Sequence, residues 1–226
     1  MNSGTRAEYQ GYEVLLWPLE FINITATPES VNHTVPQTTN SGLWDNGHRN
    51  NVQVQPLYAP CSMKLVRQYI NTYDEGHTQV WQSINKVWIP QFNEPQYVTM
   101  AFSHSNDLYY TNIGEEIVQG THFYDTGVYG IGSGAHVHML LYIGQIVNLP
   151  VGYNSYVQGN IFYSPNAPDN IATFFYTLAS DERIRTLDLP FTDYEGAIHT
   201  TGLKSLLYYL MIRKNKKKRE VLYDTN

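Results

Sequence analysis

The hydrophobic positions fall in short runs bounded by turn residues, and nowhere in the first 180 residues do they keep a helical period. Residues 11–25 (GYEVLLWPLEFINIT) are β-branched and aromatic with one Pro interruption, which predicts one or two short strands. From Leu57 to Val147 such runs recur as LYAP, MKLVRQYI, QVWQSI, KVWIP, YVTMAFSH, EEIVQGTHFY and HVHMLLYIG. Asn-Thr, Asp-Glu-Gly, Asn-Glu-Pro and Gly-Ser-Gly punctuate them. Regular short strands of this kind predict an all-β protein, a mostly antiparallel sheet closed into an open sandwich or barrel. No βαβ alternation is present. Residues 26–56 run through Thr, Asn, Ser, Gly, Pro and Gln without periodic hydrophobicity and read as one long ordered loop. Another loop with a short strand covers 150–165, and IATFFYTL (171–178) reads as a last strand. Only 202–213 reads as a helix, with Leu203, Leu206, Leu207 and Leu210 at i, i+3, i+4, i+7.

Composition narrows the function more than the fold. With 226 residues there is room for one large domain: a unit over 1–180, with its core at 56–147, and a C-terminal extension over 181–226. Fourteen Lys and Arg against 20 Asp and Glu leave a charge of −6, which argues against a nucleic-acid partner. The basic run Lys214, Lys216, Lys217, Lys218, Arg219 suits the C-terminus of the expected helix and reads as a solvated tail. Charged residues reach only 15% while 19 of the residues are Tyr, a profile shared by polar all-β domains and by subunits that pack against others. No run approaches the roughly 20 apolar residues of a membrane span. The N-terminus lacks the features of a secretory signal, so no export address is expected. One cysteine, Cys61, excludes an internal disulfide and any multi-thiolate metal site, and its place beside a strand entry suits a small buried residue. A metal would have to be held by His and carboxylate.

Two of the eight histidines stand in His136-Val137-His138, within an apolar run that should be a strand. Period two places both on one face, a few ångström apart. Such a pair can bind a metal, or divide metal binding and proton transfer between them, and equally suits two structural histidines. His77, His122 and His199 stand in no motif. Tyr109, Tyr110, Tyr129 and Trp44 are candidates to line a groove for a glycan-peptide polymer, with ordinary packing as the alternative.

Four segments in order carry a resemblance. Pro56-Leu57-Tyr58-Ala59-Pro60 with Met63-Lys64-Leu65-Val66 resembles the "VYAP … GKVV" entry into the sheet of the lysostaphin-like M23 zinc endopeptidases. Tyr97 to His104 resembles the strand ending in that family's central active-site histidine, and Ile113 to Gly120 its "VGDxVxxGQ" turn. Gly132-Ser133-Gly134-Ala135-His136-Val137-His138 resembles its "TGxHxH" signature. The similarity is to the diverged branch found among bacteriophage tail proteins and lysins, where Phe174-Phe175 and Leu187 to Phe191 also have counterparts.

The resemblance implies zinc as cofactor, His138 as a ligand, and His104 and His136 as the catalytic imidazoles. The remaining ligands of the family are a His and an Asp upstream. His33 fits the first, but Asn40 stands where the Asp belongs, and an amide oxygen is a poorer zinc ligand than a carboxylate. Asp45 with His48 is the alternative supply, in the reverse of the family order; an incomplete site would hold no zinc. The implied function is a phage tail-associated peptidoglycan endopeptidase acting in the virion at the host wall, alongside other tail proteins. The competing expectation is a tail-tip or wall-binding subunit whose site has decayed.

Overall fold

A computed structural model describes residues 3–20, 22–26, 44–47, 54–72, 76–89, 92–130, 134–145, 175–176, 184–185, 191–192 and 198–199. Every regular element among them is a strand, so the chain is all-β as its patterning predicts. The strands are β1 (Glu8–Tyr9), β2 (Tyr12–Glu13), β3 (Ile22–Ala26), β4 (Trp44–Gly47), β5 (Pro56–Tyr58), β6 (Met63–Thr72), β7 (Gly76–Ser83) and β8 (Val87–Ile89). They continue with β9 (Glu94–Gln96), β10 (Val98–Ser105), β11 (Glu116–Ile117), β12 (His122–Asp125), β13 (His136–Ile143), β14 (Ile184–Arg185), β15 (Phe191–Thr192) and β16 (Ile198–His199).

Eight of these form the main sheet, in the order β11-β6-β7-β10-β13-β4-β3-β14, with small two-stranded sheets around it. All its pairings are antiparallel except β3 with β14. The histidine-bearing strands β10 and β13 are therefore central neighbours, paired from Val98 opposite Ile143 to Ser103 opposite His138.

Alternation sorts the side chains of this pair. Val98, Met100 and Phe102 join Val137, Met139 and Leu141 in the main hydrophobic core, together with Leu57, Leu65, Trp81, Ile117 and Phe123. Phe123 meets Phe102 and Trp81 edge-on, with ring centroids 4.9 and 5.5 Å apart. Truncating such a buried ring costs about 3–5 kcal/mol, so this cluster holds the central strands rigidly. Thr99, Ala101, Ser103, His138 and Leu140 share the other face, which is buried as well.

One expectation changes. The stretch 26–56 is not one loop, because Trp44–Gly47 forms β4 and pairs with both β13 and β3. Four residues with two polar members and a glycine carry no strand period; the ladder offered by the edge of β13 decides their conformation. Beyond residue 181, β14 joins the main sheet beside β3. Of the expected strand at 171–178, Phe175 and Tyr176 are described, both buried, with Tyr176 bridged to Leu16. The helix expected at 202–213 lies outside the described residues.

Candidate active site

His136 and His138 share a face of β13, but His104 should not join them. In the β10 register, Ser103 faces His138, so simple alternation would send residue 104 to the core side with Phe102. A bulge between Phe102 and Ser105 breaks the register with β7, and His104 has φ 81. This is a left-handed conformation that costs a non-glycine residue of the order of 1–3 kcal/mol and persists only where the surroundings impose it. The bulge turns the imidazole to its neighbours: the ring centroid of His104 is 4.5 Å from that of His136 and 5.9 Å from that of His138. His104 and His138 are buried, at 3% and 7% exposure, whereas His136 keeps partial access to solvent.

Backbone carbonyls fix the protons. His104 Nδ1 lies 2.9 Å from the Tyr129 carbonyl and His136 Nδ1 lies 2.8 Å from that of Gly134. A carbonyl can only accept, so both rings carry hydrogen on Nδ1, and in the neutral ring Nε2 is the unprotonated nitrogen. The loop between β12 and β13 supplies these acceptors and is stitched to both strands. Gly127 and His136 exchange two backbone hydrogen bonds of 2.9 and 3.0 Å, and the Tyr129 amide donates back to the His104 carbonyl at 3.2 Å. A Cβ on Gly127 would lie 2.1 Å from that carbonyl, so only glycine lets the loop approach the bulge.

Across the other edge of β13, β4 sets Asp45 opposite His138 and Gly47 opposite His136. Directly opposed residues of an antiparallel pair stand on one face with Cα atoms about 4.5–5.5 Å apart. His33, Asn40 and His48 lie outside the described residues. Among the described residues no group of three or more His, Cys, Asp or Glu side chains is gathered as for a metal.

A second polar cluster borders this one. Asp125 pairs with His122 at 2.7 Å and accepts the Tyr109 hydroxyl, while the Tyr109 and His122 rings lie 4.6 Å apart. That hydrogen bond, then desolvation and the charges of Asp125 and Asp107, push the Tyr109 hydroxyl up to about 12. Tyr109 and Tyr129 are exposed, as a groove lining requires, and Tyr110 instead packs edge-on against Trp81. Cys61 is fully buried, and burial followed by the charge of Glu13 raises its thiol well above the usual range, so it is no nucleophile. The sequence did not signal Gly127, the Tyr129 carbonyl or the bulge, since all three act through the backbone.

No family model matches the chain, and no curated protein does. Among solved structures, similarity extends to a zinc-containing peptidase from Vibrio cholerae at 15% identity and a TM-score of 0.43, over 58% of this chain and 37% of that one. The catalytic domain of lysostaphin from Staphylococcus simulans is similar at 14% identity and a TM-score of 0.37, over 56% of this chain and 79% of the domain. Csd3 of Helicobacter pylori is similar at 11% and 0.41, over 98% of this chain and 49% of Csd3. The chain thus spans well under two thirds of the Vibrio and Helicobacter proteins. What those proteins do is theirs; the chemistry open to this chain follows from its own histidines. No helix among the described residues is long and apolar enough to cross a membrane.

Proposed function

We propose that the protein is a zinc-dependent peptidoglycan endopeptidase of the M23 type, carried by a phage tail and acting on the host wall. The observation that supports it most is the His104–His136–His138 cluster, two of whose rings are held at Nδ1 by backbone carbonyls. Three gathered imidazoles, one on a strained bulge, are what general acid and base chemistry requires and what packing alone does not.

His138 would hold zinc together with His33 and Asn40, or with Asp45 and His48 as the alternative supply, imidazole and carboxylate being donors suited to that ion. Zinc held there would supply a water acidified to a pKa of about 7. His136, the most accessible of the three, takes the proton of the attacking water on Nε2. His104 holds the carbonyl oxygen of the scissile peptide when its Nε2 is protonated, and passes that proton to the leaving amine. The burial of His104 strengthens both interactions by excluding water.

Metal content and activity are measured together. One zinc per chain, lost in His138→Ala, with chelator-sensitive clearing of a host-wall suspension that disappears in His136→Ala and His104→Ala, is the expected result. A chain that takes up no zinc and clears nothing would instead be a wall-binding or tail-tip subunit. The low charge and exposed tyrosines support that second reading.

A further inference from the structure

Tyr129 is 40% exposed, yet it is fastened on three sides. Its ring lies on the His77 imidazole with centroids 4.8 Å apart and planes inclined by 38°, and its hydroxyl donates to Asn71 Oδ1 at 3.0 Å. Both partners stand at the turn end of the β6–β7 hairpin, beside the Thr72–Gly76 pair. There Gly76 has φ +64, and a Cβ on it would lie 2.5 Å from the Tyr129 carbonyl oxygen and 2.8 Å from the ring. The hairpin end is thus pressed against the very carbonyl that accepts from His104 Nδ1. It is tied to the bulge from behind too: the His77 carbonyl accepts from the Tyr124 hydroxyl, whose oxygen accepts the Ser105 amide at 3.1 Å.

We propose that Tyr129, clamped by Asn71 and His77, is a positioning residue for His104. Its ring does not meet the reacting atoms; it holds its own carbonyl where that oxygen fixes the His104 proton on Nδ1 and keeps the ring against His136. Which nitrogen of a neutral imidazole carries the proton is set by the hydrogen bond the other makes, and small misplacements of a catalytic group cost up to about 100-fold in rate. A loop carbonyl held by backbone alone would not stay within those limits on a strained bulge. The kinetic consequence rests on the peptidase reading; the tautomer does not.

The test uses the full chain labelled with 15N-histidine, chelator-treated, with His104 assigned from a His104→Ala spectrum. Long-range 15N–1H correlations at neutral pH should show His104 protonated on Nδ1 in the wild type. In Tyr129→Ala and His77→Ala the proton should spread onto Nε2, and His77→Phe, which keeps a ring under Tyr129, should restore the wild-type pattern. On wall substrate with zinc, the two alanine variants should lose about tenfold in kcat with KM nearly unchanged, and His77→Phe should recover it. A His104 tautomer unmoved in folded Tyr129→Ala and His77→Ala overturns the proposal. If those variants do not fold, Tyr129→Phe, which removes only the bond to Asn71, carries the test, and an unmoved tautomer there overturns it equally. A tautomer that responds in a protein without hydrolytic activity supports the clamp and sinks the peptidase reading alone.

Discussion

His104 lies obliquely against His136, centroids 4.5 Å apart and planes inclined by 39°, although strand alternation would put the two on opposite faces of the sheet. The contact exists because β10 bulges at His104 and because Gly127 lets the opposite loop close on it. Gly127→Ala is therefore the smallest change that should separate them. Its methyl carbon would meet backbone, the His104 carbonyl and the Asn106 amide, which cannot rotate away. Overpacking of this kind costs about 1–3 kcal/mol. The expected result is a Tm lowered by roughly 3–10 °C in calorimetry, with wall-clearing activity lost more steeply than stability. Equal Tm and activity would mean that the loop does not close as described.

A stability prediction concerns Gln119, in the turn after β11. Its Oε1 accepts the Ala7 amide at 2.8 Å, and its Nε2 donates to the Val14 and Pro60 carbonyls at 2.8 and 2.9 Å. This buried amide joins the N-terminal hairpin β1–β2 to the β5–β6 connection. Gln119→Leu keeps the volume and removes all three bonds, leaving a buried amide and two carbonyls without it. With about 1–3 kcal/mol for each buried group left unsatisfied, a total loss near 3 kcal/mol is expected, seen as a fall in the denaturant midpoint at unchanged m-value. A loss below about 0.5 kcal/mol would show that water replaces the amide.

The legible and the hidden parts of this fold divide along one line. The strands β6, β7, β10 and β13 are legible in the sequence because their own side chains decide them. β4 is hidden because its pairing partner decides it. The site divides in the same way. His136 and His138 announce themselves by period two, whereas the approach of His104 depends on a bulge, and a bulge has no side-chain signature.

Tyr109 offers a prediction whose sign its partner sets. Its hydrogen bond to Asp125 holds the phenol neutral until about pH 12, above the usual value near 10. A raised folded-state value means that the stabilisation is complete below pH 10 and disappears as the pH rises through 12. In 13C-tyrosine NMR one ring-carbon resonance should therefore titrate late, and Asp125→Asn should bring it back toward 10. A Tyr109 that titrates with the other exposed tyrosines would show that the Tyr109–Asp125 bond is not kept in solution.

His77 supplies the opposite limb. Desolvation lowers its pKa below 6.5, and the nearby Asp107 carboxylate only partly offsets this. The neutral ring is also what the structure uses, since Nδ1 faces the Asn71 amide at 3.4 Å and an imidazolium would set two donors against each other. A lowered folded-state value means that the unfolded chain takes up the proton first. The contribution is thus whole above pH 6.5 and is lost as the pH falls through the folded value. Urea unfolding from pH 7.5 to 5 should show stability falling in the wild type, and His77→Phe should flatten that slope while keeping the ring beneath Tyr129. An acid slope unchanged in His77→Phe would assign the loss to other groups and remove His77 as the neutral shelf under Tyr129.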